Sequence, residues 1–207
     1  MQELILVRHA LAASNRDGLA SSEPPGDGLT AEGREQALRL QELLAEETID
    51  LGVSTGYART LETLDLALGG RDVPRLVLPE LGEIGFGEYG GGLLEAYRTW
   101  AAAESPTAPA PGGGESRADV AARFARGARL VLERPEERVL VVTHALALRY
   151  LFDAADGLAP AARMAGIEHA APYRLSAPEV EEAATLLEEW SRAPVFRDPS
   201  VEGRARP

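Results

Sequence analysis

The stretch LILVRHALAASN, residues 4–15, decides the fold, because an apolar run typical of a buried strand ends abruptly in Arg8 and His9. Two other short apolar runs, TIDLGVS (48–54) and RVLVVT (138–143), have the same character. Nearly continuous apolar runs are typical of strands that are buried on both faces of a sheet. We therefore predict three central strands, over residues 3–7, 48–54 and 138–143.

Helical patterns alternate with these strands and cover residues 31–47, 57–68, 116–133 and 145–155. Strands that alternate with helices are typical of an α/β fold in which helices cover both faces of a mainly parallel sheet. The length of 207 residues suits one domain. We therefore predict a three-layer α/β sandwich that forms a single domain over residues 1–207.

Two segments do not fit the alternation of strands and helices. Residues 82–114 are rich in Gly, Ala and Pro, and we interpret them as a cap or lid. Its aromatic residues Tyr89, Tyr97 and Trp100 either line a pocket or pack the lid onto the core. Residues 193–207 are expected to form a loosely ordered tail.

Composition argues against several classes of function. The net charge of −12 argues against nucleic acid and anionic membranes as partners. The absence of cysteine excludes disulfides, cysteine-rich zinc sites and thiolate nucleophiles, and the absence of lysine excludes a Walker-type phosphate loop. No apolar run approaches the length of a membrane span, and no signal-peptide pattern opens the chain, so we expect a soluble cytoplasmic protein. The oligomeric state is not readable from these features.

Three predicted strands deliver polar groups to one edge of the sheet. Arg8 and His9 follow the first strand, Arg59 lies in the first turn of the helix after the second strand, and His144 follows the third. Ligands bind outside the carboxyl ends of strands in open α/β sheets, where helix N-termini add positive dipole ends. The pattern therefore predicts a site for a dianionic phosphate group on a small molecule.

A metal centre is the competing interpretation of the two histidines. His9 and His144 together with nearby carboxylates would form a reasonable set of metal ligands. Arg8 and Arg59 would lie beside the cation and repel it. The sequence therefore favours phosphate over a metal, and we expect neither a metal nor a cofactor.

Five motifs, in this order, resemble those of the histidine phosphatase superfamily, in the branch similar to phosphoglycerate mutases and bacterial broad-specificity phosphatases. They are LVRHALAASN (6–15), GLTAEGREQA (28–37), STGYARTLET (54–63), ELGEIGFGEYGG (80–91) and VVTHALAL (141–148). The resemblance covers residues 4 to about 175 and implies a phosphoglycerate mutase-like fold.

The resemblance also implies roles for individual residues. His9 would be the nucleophile that becomes a phosphohistidine, and Arg8, Arg59 and His144 would hold the nonbridging phosphoryl oxygens. Asn15 would donate a hydrogen bond to the phosphate. Arginine forks suit phosphate oxygens, and a neutral imidazole is nucleophilic at neutral pH.

The proton donor implied by the resemblance is Glu83, with Glu80 as the alternative. The departing alkoxide needs a proton, and a carboxyl group held partly out of water stays protonated nearer neutral pH.

The chain departs from the family pattern after both histidines, where Ala10 and Ala145 stand in place of glycines. Either alanine would be strained if its backbone required positive φ. His169 lies where we expect a strand near the sheet edge, and we interpret it as a structural residue in preference to a substrate contact.

These inferences favour a metal-independent phosphomonoesterase that acts on a small phosphorylated metabolite through a phosphohistidine. A mutase-type phosphoryl transfer would use the same residues, and the short cap favours hydrolysis. A third hypothesis is a non-catalytic pseudoenzyme that only binds phosphate. The presence of all the implied catalytic residues, which are Arg8, His9, Arg59, Glu83 and His144, argues against it.

Overall fold

The computed structural model describes residues 1–198, 200 and 201, which form a five-stranded sheet and seven α-helices. The strands are β1 (Glu3–Arg8), β2 (Leu51–Ser54), β3 (Arg75–Val77), β4 (Arg138–Thr143) and β5 (Pro172–Ser176). The helices are α1 (Ala13–Arg16), α2 (Ala31–Leu43), α3 (Ala58–Leu68), α4 (Leu94–Ala103), α5 (Arg117–Leu132), α6 (Ala145–Ala155) and α7 (Ala177–Arg192). Among the described residues, no helix combines the length and apolar character that a membrane span requires.

The sheet has the strand order β3-β2-β4-β1-β5. The first four of these strands run parallel to their neighbours, whereas β5 is antiparallel to β1 at the edge. In the register of β1 and β4, Arg8 pairs with Thr143. Two central strands therefore end side by side, and the residues that follow them meet at one edge of the sheet.

Each face of the sheet builds its own core. Leu4 and Leu6 of β1 lie in the core formed with α5, α6 and α7, whereas Ile5 and Val7 lie in the core formed with α2 and α3. This alternation is the period of two that a strand imposes on its side chains. The predicted three-layer α/β sandwich with a mainly parallel sheet is confirmed.

The predicted central strands and helices are present, but the helix predicted over 31–47 is shorter. It ends at Leu43, and beyond it the carbonyl groups of Leu44 and Glu47 accept hydrogen bonds from Arg71 at 3.3 and 3.1 Å. The strand predicted over 48–54 begins at Leu51. Just before it, the Asp50 backbone N–H donates to the Arg138 carbonyl at 2.9 Å, and the Asp50 carboxylate accepts the Arg138 backbone N–H at 2.8 Å.

Four elements lie outside the sequence-based prediction: α1, β3, α4 and α7. β3 is a three-residue strand, too short to show a periodic pattern. The signal for α7 is a capping box, in which the N–H and hydroxyl groups of Ser176 donate to the Glu179 carboxylate, both at 2.7 Å.

The segment interpreted as a cap, residues 82–114, is less irregular than its composition predicted, because it contains α4 and a short 3-10 helix at Gly87–Tyr89. The rings of Tyr89, Tyr97 and Trp100 contact one another, with centroids 5.6 to 5.8 Å apart. These aromatic contacts hold α4 against the 3-10 helix.

The predicted tail over 193–207 lies partly outside the described residues, which omit 199 and 202–207. The part that is described is packed on the domain. The Phe196 ring lies 5.9 Å from the Trp190 ring, and Arg197 forms an ion pair at 2.8 Å with Asp153. Folded structure therefore continues beyond α7 to at least Arg197.

Gly33 in α2 allows the helix to approach the chain that follows β1. A Cβ atom at this position would lie 2.1 Å from the Leu11 carbonyl oxygen, well inside van der Waals contact. We therefore expect Gly33→Ala to lower the free energy of unfolding by about 2 kcal/mol, although alanine gains about 1 kcal/mol in helix propensity. Denaturant titration measures the change. Glu35→Ala, at an exposed position of the same helix, is the control and should stay within about 0.5 kcal/mol. An unchanged Gly33→Ala variant would contradict the close approach.

Candidate active site

The carboxyl ends of β1, β2 and β4 bring together the residues predicted for phosphate binding. His9 follows β1 and His144 follows β4, and their ring centroids lie 5.2 Å apart. The His9 backbone N–H continues the ladder and donates to the Thr143 carbonyl at 2.9 Å. Arg59, in the first turn of α3, lies 3.5 Å from His144. The ends of three neighbouring strands therefore form one site.

The His9 ring is held in one tautomer. Its Nδ1 atom lies 2.8 Å from the Ala10 carbonyl oxygen, which can only accept, so Nδ1 carries the proton and Nε2 the lone pair. His9 is 2% exposed, and burial, followed by the nearby charges of His144 and Arg59, holds its pKa well below the usual range. A neutral imidazole with a free Nε2 is the nucleophilic form.

His144 is fully buried and has the opposite tautomer. Its Nδ1 lies 3.5 Å from the Arg59 guanidinium, which only donates, so the proton is on Nε2 and is donated to Thr55 Oγ1 at 2.9 Å. Thr55 Oγ1 lies 3.2 Å from Thr60 Oγ1, which donates to the Tyr57 carbonyl at 2.9 Å. Burial and the charge of Arg59 hold the pKa of His144 well below its usual range.

Two guanidinium groups flank the histidines. Arg8 donates to the Ile167 carbonyl at 2.7 Å, and burial lowers its pKa to about 10, which keeps it charged at neutral pH. Arg59 is 2% exposed, donates to the Ser21 carbonyl at 2.8 Å and lies 3.5 Å from Asp27. Both side chains are thus fixed by contacts to other parts of the chain and present positive charge to the site.

Glu83 is the carboxyl group next to this pair. Its Oε2 atom lies 3.8 Å from His144 Nδ1, and its Oε1 atom accepts the Ile84 backbone N–H at 3.1 Å. Burial raises the pKa of Glu83, and the nearby arginines oppose this rise only in part. Beside the site lies an open cleft, which is lined by Glu83 and not by Glu80, the alternative proton donor. The geometry therefore favours Glu83 over Glu80.

The cleft beside the site has a volume of about 440 Å³. One end of the cleft is lined by Arg8, His9, Asn15 and Glu83. Of the three aromatic residues of the cap, Tyr97 also lines the cleft. Asn15 Oδ1 accepts the Ala12 N–H at 3.2 Å, so its amide N–H groups are the part open to a ligand. Among the described residues, no three or more His, Asp or Glu side chains are grouped to hold a metal ion.

The two alanines that replace glycines fit the backbone without strain. Ala10 is fully buried, and its N–H donates to Thr63 Oγ1 at 3.0 Å. Ala145 is the first residue of α6 and lines the cleft. Within residues 1–198, 200 and 201, Ala170 is the one non-glycine residue with positive φ, so the strain considered for Ala10 and Ala145 does not arise.

His169 reaches the site from the segment before β5. Its Nδ1 donates to the His9 carbonyl at 2.7 Å, and its ring centroid lies 5.5 Å from that of His9. The next residue, Ala170, adopts φ 54° and donates its N–H to the Arg8 carbonyl at 2.9 Å. His169 does not line the cleft, and burial, followed by the charge of Arg8, lowers its pKa to about 4. It therefore contacts the backbone that carries His9.

Sequence reasoning missed the residues that hold the Glu83 loop. Arg123 of α5 donates to the carbonyl groups of Gly82 and Glu83, both at 3.0 Å, and forms a two-point ion pair with Glu115. Glu115 also accepts the Gly85 N–H at 2.8 Å. Glu115 precedes the N-cap of α5 and lies eight positions before Arg123, a spacing that no local helix rule connects, so the sequence carried no signal for this contact.

A model of the histidine phosphatase superfamily, branch 1, matches residues 4–192. The chain belongs to this superfamily. The match includes all the residues predicted for the site, and it confirms the resemblance that the five motifs indicated.

Relatives of this histidine phosphatase are named for different substrates. Over 86 residues, or 42% of each chain, it is 40% identical to the adenosylcobalamin/alpha-ribazole phosphatase of Escherichia coli K12, so the match spans less than half of that protein. A crystal structure of the alpha-ribazole phosphatase from Shigella flexneri superimposes with a TM-score of 0.71 at 28% identity, covering 83% of this chain and 89% of the other. For mycobacterial glucosyl-3-phosphoglycerate phosphatase the TM-score is 0.69 at 27% identity, with 85% and 91% covered.

The contact of His169 with the His9 carbonyl predicts a graded effect of substitution. His169→Ala removes one hydrogen bond to the backbone of His9, and we expect kcat for p-nitrophenyl phosphate to fall about three- to tenfold. His169→Asn can restore a donor and should recover most of that loss. Equal loss in both variants would show that the ring, and not its donated hydrogen bond, matters.

Proposed function

We propose that the protein is a metal-independent phosphomonoesterase that works through a phosphohistidine at His9. The observation that supports this most directly is the hydrogen bond to the Ala10 carbonyl, which leaves the Nε2 lone pair of His9 free, with Arg8 and Arg59 near enough for their charges to lower the pKa of the ring. A dianionic phosphate would be attracted by Arg8 and Arg59, while the neutral ring next to them could attack phosphorus. Asn15 would donate a further hydrogen bond to a phosphoryl oxygen.

In the first step, the Nε2 lone pair forms a bond to phosphorus while the bond from phosphorus to the ester oxygen breaks. The Glu83 carboxyl gives its proton to the departing alkoxide, and its raised pKa favours the protonated form that this step needs. Arg8 and Arg59 donate to the nonbridging oxygens and stabilise their charge. His144 holds the third oxygen once its Nδ1 atom has taken a proton from solvent, which the negative charge of the bound phosphate favours, and it returns that proton when the product leaves. The products are an alcohol, a phosphohistidine and a Glu83 carboxylate.

In the second step, the Glu83 carboxylate takes a proton from water as the water oxygen attacks phosphorus. The bond from phosphorus to Nε2 breaks, and the electron pair returns to the ring. Inorganic phosphate leaves, and Glu83 is protonated again, so that the cycle closes with atoms and charge balanced.

The substrate class is a small phosphate monoester. The relatives named for alpha-ribazole and for glucosyl-3-phosphoglycerate support phosphatase activity, but they differ in the alcohol that carries the phosphate. The compact cap, with α4 as its one helix of three turns, leaves an open cleft and favours access of water, and so hydrolysis over mutase-type transfer.

His9→Asn tests the nucleophile. We expect the parent protein to hydrolyse p-nitrophenyl phosphate in excess EDTA, and the variant to lose at least about a thousandfold in kcat. His169→Asn is the matched control, because it changes another histidine of the same cluster. If the parent needed an added divalent metal, or if His9→Asn stayed active, the proposed mechanism would be wrong.

Glu83→Gln tests the proton donor through the leaving group. A nitrophenolate departs without a proton but an alkoxide does not, so kcat/KM should fall about 100-fold or more for glycerol 3-phosphate and less than about tenfold for p-nitrophenyl phosphate. Because only the protonated acid is active, parent kcat/KM for the alkyl ester should fall as pH rises through the raised pKa of Glu83. The variant should lack this decline. Equal losses for both esters would assign Glu83 another role.

A further inference from the structure

The cleft continues beyond the phosphate-facing residues towards α4, the start of α5 and the segment 161–166. Four arginines line this part: Arg98, Arg117, Arg149 and Arg163. The acidic residues that line the whole cleft are Glu83 and Glu95. In a chain with a net charge of −12, so strong a local surplus of positive charge focuses an attractive potential for anions.

Arg117 is the most buried of these four arginines, at 8% exposure. Its Nε donates to the Tyr150 hydroxyl at 2.7 Å, and its Nη2 contacts the Ala161 carbonyl at 3.4 Å and Met164 Sδ at 3.3 Å. The guanidinium also lies 5.4 Å from the centre of the Tyr150 ring and 5.9 Å from that of the Phe196 ring. No carboxylate of a described residue forms an ion pair with it. Buried guanidinium groups are nearly always paired with an anion. Arg117 therefore has neutral partners only, and its charge is left for a ligand.

The Tyr97 hydroxyl lies in the same part of the cleft. Tyr97 is 3% exposed, and its Oη lies close to the Arg117 guanidinium, which can only donate to it, so no acceptor among the described residues takes the hydroxyl proton. Burial raises its pKa to about 12, with the positive charge of Arg117 opposing the rise, so the hydroxyl stays a donor at neutral pH. A buried donor without an acceptor costs about 1–3 kcal/mol. An acidic group on a ligand would supply that acceptor.

Arg149 and the arginines at the rim add to the same potential. Arg149 donates to the Gly166 carbonyl at 2.9 Å, while its Nε is buried without a partner among the described residues. Arg98 and Arg163 are exposed and share one carboxylate, Glu95, at 3.6 and 3.7 Å. One acid does not neutralise these cations. The rim therefore attracts anions, and Arg117 and Tyr97 provide the buried contacts.

We propose that this end of the cleft is a second anion subsite, and that the substrate is a phosphomonoester whose leaving alcohol carries another acidic group, a carboxylate or a second phosphate. This inference rests on the proposed function, since the ester phosphate must lie at His9. Arg117, Tyr97 and Arg149 bind the acidic group. The apolar side chains of Phe86, Leu94 and Met164 line the cleft and contact the carbon skeleton that joins the two charges.

Three esters with one three-carbon skeleton test the subsite: 3-hydroxypropyl phosphate, 3-phosphooxypropanoate and propane-1,3-diyl bisphosphate. Their distal groups are a hydroxyl, a carboxylate and a phosphate. Affinity is measured by titration calorimetry on the His9→Asn protein, which cannot form the phosphohistidine, and kcat/KM is measured on the parent. At least one acidic ester should bind about tenfold tighter than the neutral ester, and the preferred one shows which acid the subsite takes.

Substitutions then locate the preference. Arg117→Met or Tyr97→Phe, each added to His9→Asn, should bring the ratio of acidic to neutral affinity down to about 1–3. Arg126→Met is the matched control, because Arg126 lies on the exposed side of the same helix, and it should leave the ratio unchanged. Tyr97→Phe keeps the ring, so it provides the test if Arg117→Met does not fold.

The outcomes separate the two claims. Equal affinity for the three esters, or a preference that survives both Arg117→Met and Tyr97→Phe, would overturn the subsite. A preference in binding without any hydrolysis by the parent would overturn the proposed function and leave the subsite standing.

Discussion

The hydrogen bond from His9 Nδ1 to the Ala10 carbonyl is the contact on which the site depends. It fixes the ring and places the lone pair on Nε2. The fold fixes the backbone of His9, because β1 and β4 end in register and the His9 N–H donates to the Thr143 carbonyl. The His169 ring also donates a hydrogen bond to the His9 carbonyl. A central strand thus delivers a histidine whose orientation does not depend on a ligand.

Burial influences which groups of the site carry a charge. It lowers the pKa of His9 and His144 and raises the pKa of Glu83, so in each of these three groups burial disfavours the charged form. The guanidinium groups of Arg8 and Arg59 remain as the positive charges that meet a phosphate. In the proposed mechanism, the same environment therefore provides a nucleophile, an acid and an anion clamp.

The sequence predicted those parts of the molecule whose signals are local. Apolar runs that end in Arg8 and His9 or in His144 indicated parallel strands that share an edge, and the sheet has that arrangement. Contacts between distant segments could not be read in this way. The ion pair of Arg123 with Glu115 supports the Glu83 loop, and the donation from His169 to the His9 carbonyl spans 160 positions. Both depend on packing that exists only in the folded chain.

Nitrogen-15 NMR of histidine-labelled protein tests the account most directly, because the chain contains just three histidines and all three belong to the site. Removing His9 or His169 by substitution with Asn assigns the signals. At pH 7 the account predicts three neutral rings, with protons on Nδ1 of His9 and His169 and on Nε2 of His144. A His9 ring that is protonated on Nε2, or charged at this pH, would contradict it.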